Sequence, residues 1–122
     1  MARATGIGGV FFRAADPASL AKWYAEMLGL PIDEQGYTVI RSFEGETLTW
    51  AAFPHDTDYF GPTGQTAMIN YRVDDLDGVL ERLRAGGVVV DDRIEEHEYG
   101  RFGWAVDPEG TRFELWQPTP GK

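Results

Sequence analysis

The spacing of apolar residues predicts the same order of elements twice along the chain. Residues 7–13 and 67–73 are typical of strands, and each is followed by apolar residues at the three- and four-residue spacing of an amphipathic helix. The two apolar stripes are Leu20, Trp23, Tyr24, Met27 and Leu28, and then Leu76, Val79, Leu80 and Leu83. Short strands are predicted after each helix, near residues 30–33, 37–43 and 47–53 in the first half, and near 88–90 and within 99–118 in the second.

Capping residues support both helices. Asp16 precedes Pro17, which suits the first helical position because proline has no N–H to satisfy, and Asp74 or Asp75 can cap the second helix. Each half is therefore a strand, a helix and three strands. The predicted fold class is α+β, a single domain over residues 1–122 with two paired βαβββ modules at 7–53 and 67–118. The halves must pair because each alone leaves a sheet edge and an inner face open.

The two halves also match as an internal repeat. Arg13 and Asp16 align with Arg72 and Asp75 at an offset of 59 (72 − 13). Near the end of each half, residues 53–54 align with 117–118 at an offset of 64 (117 − 53), which places Trp50 on Glu114. The loop at 54–66 lies between the modules. It contains two prolines and two glycines, and it is either a linker or a flap in which His55, Asp56, Tyr59 and Phe60 could close over a site.

A hairpin is predicted near the C-terminus. The sequence Asp-Pro-Glu-Gly at 107–110 predicts a type I turn, because each residue suits its position there. The strand that follows alternates, with Arg112, Glu114 and Trp116 on one face and Phe113 and Leu115 on the other. One face can therefore be buried, while the other carries a carboxylate beside an indole.

Composition excludes several classes of function. The formal net charge is −9, which argues against nucleic acid as a partner; it permits a cationic ligand, although solubility alone explains an acidic surface. There is no apolar run long enough to span a membrane and no apolar block typical of a signal peptide, so no membrane association and a cytoplasmic location are expected. The chain has no cysteine and hence no thiol chemistry.

With these motifs and the doubled unit, the sequence resembles the vicinal oxygen chelate superfamily, which includes glyoxalase I, bleomycin-resistance proteins and extradiol dioxygenases. The resemblance rests on residues 10–16, 20–30, 71–76 and 107–114, and it covers nearly the whole chain outside the 54–66 loop. It implies curved mixed sheets that form a cup, and it implies a homodimer.

The resemblance also implies where metal ligands would lie. Metal-dependent members of the superfamily use four equivalent strand positions, which here are Gly9, Trp50, Met68 and Glu114. Only Glu114 is a usual ligand for a divalent metal, and one carboxylate is too few. His55 and His97 lie outside these positions. We therefore expect no metal ligands and no cofactor.

Strand alternation predicts which side chains line the cup. They are Phe11, Arg13, Leu48, Trp50, Ala52, Met68, Asn70, Arg72, Arg112, Glu114 and Trp116, with Trp104 from the neighbouring strand. From these we assign ligand binding to Phe11, Trp50, Met68, Asn70, Trp104, Glu114 and Trp116. Such a lining is typical of a small-molecule pocket, although the tryptophans could instead simply fill space.

Glu114 has several interpretations. It could anchor a ligand, act as a catalytic general base, or serve structure by pairing with Arg13, Arg72 or Arg112. The leading hypothesis is metal-independent binding of a small organic molecule, cationic or antibiotic-like, as the resemblance to bleomycin-resistance proteins implies. The alternative is a lyase or isomerase of the glyoxalase type that uses Glu114 or an unrecognised divalent metal. A third possibility is a regulatory or scaffolding subunit.

Overall fold

The computed structural model describes residues 2–28, 31–41, 47–61, 64–107 and 109–120; the side chains at 23, 24, 27, 28, 40 and 41 lie outside this description. The predicted α+β fold is confirmed. The elements in chain order are β1 (Ala4–Ala14), α1 (Pro17–Leu28), β2 (Tyr37–Arg41), β3 (Thr47–Pro54), β4 (Ala67–Val73), α2 (Leu76–Ala85), β5 (Val89–Val90), β6 (Glu95–His97), β7 (Gly100–Val106) and β8 (Arg112–Pro118). Neither described helix, of 12 and 10 residues, has the length and apolar composition needed to cross a membrane.

The chain divides into two compact units. The N-terminal unit is Gly8–Met68, and the C-terminal unit is Met1–Ile7 together with Ile69–Lys122. The start of β1 thus belongs to the C-terminal unit, where the backbone N–H of Arg3 donates to Asp74 Oδ1 at 2.8 Å. The loop at 54–66 belongs to the N-terminal unit.

In the N-terminal unit, β1 pairs with β3 in parallel and β3 pairs with β2 in antiparallel orientation. The helix α1, which packs on β3, begins where the sequence predicts. Asp16 Oδ1 accepts the backbone N–H of Ser19 at 3.1 Å, as expected of an N-cap. Of the predicted apolar stripe, Leu20 is half-buried, and the other side chains lie outside the description.

One predicted strand of this unit is wrong for the residues that the structure describes. Residues 31–33 form no strand; they lead into a turn at Asp33. Asp33 Oδ1 accepts the backbone N–H groups of Gln35 at 3.0 Å and Tyr37 at 2.9 Å, and Gly36 has a φ of 86°. This local capping by the carboxylate competes with strand pairing. The predicted helix end at Gly29, Leu30 and the turn predicted at 44–46 lie outside the described residues.

In the C-terminal unit, β4 pairs with β8 in parallel, β8 pairs with β7 in antiparallel orientation, and β7 also pairs with β5 and β6. The helix α2 covers one face of this sheet. As predicted, its buried stripe is Leu76, Val79 and Leu80, which pack with Val73 and Leu115. Hydrophobic burial on this face holds the unit together and leaves the other face of β4, β7 and β8 for other groups.

The hairpin between β7 and β8 forms as predicted. The backbone N–H of Gly110 donates to the carbonyl of Asp107 at 3.0 Å, and Asp107 Oδ1 accepts the N–H groups of Glu109 and Thr111. Pro108 lies outside the described residues. The acidic connector at residues 91–98 contains β6, which the sequence does not predict because three mostly charged residues give no strand periodicity.

Candidate functional site

The face of the C-terminal unit opposite α2 carries a buried carboxylate. Strand register places Asn70 and Trp104 on either side of Glu114. Glu114 is only 1% exposed, yet both oxygens are hydrogen-bonded: Asn70 Nδ2 donates to Oε1 at 2.5 Å, and Trp104 Nε1 donates to Oε2 at 3.0 Å. A buried carboxylate is tolerated when such bonds replace those to water. We call these three residues the polar floor.

One buried oxygen atom of the polar floor accepts no hydrogen bond from the described residues. Asn70 is 3% exposed, and its Oδ1 has no hydrogen-bond partner among the described residues. Because Nδ2 donates to Glu114, Oδ1 is a buried acceptor beside a satisfied carboxylate. Leaving such an acceptor unpaired costs about 1–3 kcal/mol, so this atom is a place where an incoming N–H or O–H donor would be stabilised.

Two guanidinium groups lie over the indole of Trp104. The Cζ atoms of Arg93 and Arg112 are 4.8 Å and 5.6 Å from the ring centroid. Arg112 also pairs with Asp91 at 3.3 Å. The backbone N–H of Arg93 lowers the pKa of the Asp91 carboxyl, and Arg112 lowers that pKa further, so Asp91 is anionic at neutral pH.

Trp116 extends this face beyond the polar floor. Its ring stacks on Phe102 at 6.1 Å between centroids, and its Nε1 donates to the carbonyl of Tyr99 at 3.0 Å. Gly100 allows this approach: it has a φ of 144°, and a Cβ there would lie 2.5 Å from Trp116 Nε1. Arg72 lies over the indole, with Cζ 6.0 Å from a ring centroid.

In the C-terminal unit, side chains that the sequence predicts to line a cup lie on one face of the sheet. The side chains brought together as predicted are Asn70, Arg72, Trp104, Arg112, Glu114 and Trp116. Sequence reasoning missed Phe102, although its spacing from Trp104 on β7 would have placed it on this face. It also missed Asp91 and Arg93, which lie in a connector without periodicity.

For the N-terminal unit, the predicted lining is wrong in one respect. Trp50 pairs in register with Val10, whereas Phe11 pairs with Ala51. Partners in register share a face, so Phe11 and Trp50 lie on opposite faces.

Both side chains are buried. Phe11 packs against Phe53, with ring centroids 5.4 Å apart, and Trp50 packs against Phe12, with ring centroids 5.7 Å apart. Leu48 and Ala52 are two residues from Trp50 on β3 and therefore lie on the same face as Trp50, opposite Phe11. Met68 is fully buried.

The register also corrects the internal repeat. In the second half Asn70 pairs with Glu114, a separation of 44, and in the first half Phe11 pairs with Ala51, a separation of 40. If β1 and β4 are matched at an offset of 59, β3 and β8 match at 63 instead of the predicted 64. The counterpart of Glu114 is then Ala51, because the sequence alignment of Trp50 with Glu114 is one residue out.

The loop at 54–66 is packed against the Phe11 face in its described part. Phe60 is fully buried, and Tyr59 stacks on Phe53 at 5.3 Å. Arg13 holds the loop backbone: its Nη1 donates to the carbonyls of His55 at 2.9 Å and Thr57 at 2.8 Å, and its Nε donates to the carbonyl of Gln65. Of the predicted flap residues, His55 and Asp56 are exposed.

The donor set does not fit a metal. Among the positions that the family resemblance implies, Gly9 offers no side chain, and a Cβ there would lie 3.2 Å from the ring of Phe11. Neither Trp50 nor its corrected counterpart Ala51 is a ligand, and Glu114 already accepts two N–H bonds. His97 is paired with Glu95 at 3.1 Å and stacked on Tyr99. No group of three His, Asp or Glu side chains suited to a metal occurs in the described part of the chain.

Comparison with known proteins agrees with this fold. The sequence model of the glyoxalase-like domain matches residues 9–116. A comparison with curated proteins finds no match. Among solved structures, methylmalonyl-CoA epimerase of Streptomyces coelicolor is similar at a TM-score of 0.74 and 18% identity, covering 96% of this chain and 99% of that chain.

Two further structures are similar over most of the chain. Methylmalonyl-CoA epimerase of Mycobacterium tuberculosis has a TM-score of 0.65 and 25% identity, covering 96% of this chain and 90% of that chain. A glyoxalase/bleomycin resistance protein/dioxygenase superfamily member of Vibrio splendidus 12B01 has a TM-score of 0.60 and 13% identity, covering 96% and 99%. The predicted superfamily is thus confirmed.

Proposed function

Because this chain belongs to the glyoxalase-like domain family, we propose that it binds a small organic molecule on the polar floor of its C-terminal unit. The unpartnered Asn70 Oδ1 is the observation that carries the proposal. A ligand that donates an N–H or O–H to this atom supplies the missing hydrogen bond, and Trp116 offers its ring nearby on the same face.

We propose further that binding needs no metal and no cofactor. Support comes from the chemistry of the side chains: three of the four implied ligand positions carry groups that do not bind the usual divalent metals, and Glu114 is engaged by Asn70 and Trp104. Elemental analysis of protein purified without a histidine tag tests this. We expect less than a stoichiometric amount of any divalent metal; one ion per chain would contradict the proposal.

Ligand binding is tested by tryptophan fluorescence against a panel of anionic, neutral and cationic small aromatic compounds. We expect at least one compound to bind and to bind more weakly to Asn70→Ala. A response from no compound would contradict the proposal and favour a scaffolding role. The matched control is Thr38→Ala. Thr38 is the other residue, within the described range, that has a buried unpartnered side-chain oxygen, and it lies in the N-terminal unit.

The second candidate is an enzyme of the lyase or isomerase type with Glu114 as general base. Its support is a buried carboxylate in a scaffold that resembles two epimerases. The substitution Glu114→Gln separates the two functions once a ligand is found. If the parent protein turns the ligand over and Glu114→Gln binds it without turnover, Glu114 is a catalytic base. If the parent protein shows no turnover and Glu114→Gln no longer binds the ligand, the binding function is supported.

Assembly as a homodimer and a cytoplasmic location belong to the same proposal. Family membership supports the dimer. Light scattering after size-exclusion chromatography should give about twice the mass of the 13.6 kDa chain. A monomer at all concentrations would contradict it.

A further inference from the structure

The orientation of the Asn70 amide sets what the polar floor offers to a ligand. Trp104 Nε1 can only donate, and both Glu114 oxygens accept an N–H, as those of an ionised carboxylate do. Such a carboxylate has no proton to donate, so Asn70 turns its NH2 group to Glu114 and its oxygen away. We propose that the ligand is an uncharged hydrogen-bond donor, such as a primary amide, whose N–H meets Asn70 Oδ1. This inference rests on the proposed function.

Burial of the polar floor selects against charge on the ligand. Asn70, Trp104 and Glu114 are all buried. A group that reaches Asn70 Oδ1 therefore leaves water behind, and a charged group loses far more hydration free energy than an amide does. Only a partner of opposite charge in good geometry, with further hydrogen bonds, would offset that loss. A neutral donor needs a single acceptor, which Oδ1 provides.

The Glu114 carboxylate disfavours an anion and adds little for a cation. Asn70 Nδ2 donates to Glu114 Oε1 at 2.5 Å, so a group bonded to Oδ1 of the same amide lies one amide width from a buried negative charge. Like charges that close repel strongly in a protein interior. A cation would be attracted, but the N–H groups of Asn70 and Trp104 already donate to both carboxylate oxygens, which reduces what a further donor gains.

The other charged groups around Trp104 are paired within the protein. Arg93 and Arg112 lie over its indole, with Cζ atoms 4.8 Å and 5.6 Å from the ring centroid. Arg93 pairs with Glu95 at 3.5 Å, and Arg112 pairs with Asp91 at 3.3 Å. A ligand cation would meet two guanidinium groups there, and a ligand anion would compete with two carboxylates. The surroundings thus favour neither sign of charge.

Four compounds of nearly the same shape test the inference by isothermal titration calorimetry. Benzamide is a neutral donor, benzoate is an anion, benzamidinium is a cationic donor, and acetophenone is neutral and has no donor. Their shared phenyl ring suits Trp116, which lies on the same face as Asn70. We expect benzamide to bind at least about tenfold more tightly than each of the others, because it alone satisfies Oδ1 without burying a charge.

Each of the other three compounds can overturn the inference. Benzoate that binds as tightly as benzamide would assign recognition to a cation such as Arg72, which lies over Trp116. Benzamidinium that binds as tightly would assign it to a carboxylate such as Glu114. Both results leave the proposed function intact. Equal binding of acetophenone would show that no donor is needed at Asn70 Oδ1.

The variant Glu114→Gln tests the assigned orientation of the amide. Its side chain is uncharged and can donate to a rotated Asn70, whose NH2 group then faces the ligand. The ratio of benzamide affinity to benzoate affinity should therefore fall at least about tenfold from that of the parent protein. The matched control is Arg101→Gln, which should keep the ratio because Arg101 pairs with Asp77 of α2 on the opposite face.

An unchanged ratio in Glu114→Gln would overturn the inference. If this variant does not fold, the four compounds still decide the matter in the parent protein. If none of the four compounds binds but another member of the fluorescence panel does, the inference fails alone. If the whole panel is silent, the proposed function fails too.

Discussion

The two units carry equivalent sheet faces that are filled in different ways. In the C-terminal unit the face holds Asn70 and Glu114, a buried polar pair in register. In the N-terminal unit the equivalent pair is Phe11 and Ala51. There, Phe60 from the unit's own loop is fully buried in the aromatic cluster that continues this face. This face forms hydrophobic core in the N-terminal unit, whereas in the C-terminal unit it carries polar groups that a core does not need.

The arginines at equivalent positions show the same division. Arg13 pairs in register with Phe53, and Arg72 with Trp116. Arg13 donates to three loop carbonyls and lies over Phe60, whereas Arg72 lies over the indole of Trp116 on the polar face. Equivalent positions of the repeat thus have different surroundings in the two units.

The largest effect is expected from Phe60→Ala. Removing a fully buried phenylalanine from the aromatic cluster should lower the free energy of unfolding by about 3–5 kcal/mol. Urea denaturation measures this loss. Asp56→Ala, an exposed change in the same loop, should stay within about 0.5 kcal/mol. Equally small losses of unfolding free energy in both variants would mean that the loop is a flap and not part of the core, which would contradict the contrast between the two units.

Substitutions at Glu114 should separate the need for an acceptor from the need for charge. Glu114→Ala leaves two buried N–H donors without an acceptor and should cost about 2–4 kcal/mol in unfolding free energy. Glu114→Gln should cost about 1 kcal/mol, because its oxygen can accept from Trp104 and its amide can donate to a rotated Asn70. Equal losses of unfolding free energy for Glu114→Ala and Glu114→Gln, measured by urea denaturation, would show that these hydrogen bonds do not stabilise the polar floor.

Arg13→Met should loosen the loop of the N-terminal unit. The change removes charged donors from the carbonyls of His55, Thr57 and Gln65, at a cost of about 1.5–3 kcal/mol. Hydrogen exchange should become faster in residues 55–61. Arg101→Met, which removes a mostly exposed ion pair, should cost less than about 1 kcal/mol and leave that exchange unchanged. Unchanged exchange in Arg13→Met would contradict the assigned role.

The smallest effect concerns Asp91, which holds Arg112 near Trp104. Hydrogen bonds to the charged form lower its pKa in the folded protein, so its contribution to stability is complete above the unfolded pKa of about 3.9 and is lost as the pH falls through the lower folded value. The difference in Tm between the parent and Asp91→Asn should be constant above about pH 5 and shrink below pH 4. A difference at pH 3 as large as that at pH 7 would exclude this linkage.

Several local signals were sufficient, although the local turn at Asp33 was missed. The caps at Asp16 and Asp75 and the hairpin turn at Asp107 depend on residues within four positions, and the alternation of β8 placed Glu114 on the correct face. Trp50 was placed on the wrong face because a repeat offset that is wrong by one residue reverses a strand.

Contacts between distant segments had no such signal. Arg13 reaches carbonyls more than 40 residues away, and Arg93 reaches Trp104 from a connector without periodicity. The unpartnered oxygen of Asn70 likewise depends on which of its two amide atoms faces Glu114, which only the fold decides.

The most direct test of the central claim follows the indole N–H signals in nitrogen-15 NMR spectra during titration with a compound that binds in the fluorescence panel. The chain has four tryptophans, and single Trp→Phe variants assign their signals. A ligand on the polar face of the C-terminal unit should shift the signals of Trp104 and Trp116 and leave that of Trp50 unchanged. A shift of Trp50 with Trp104 and Trp116 unchanged would contradict the account.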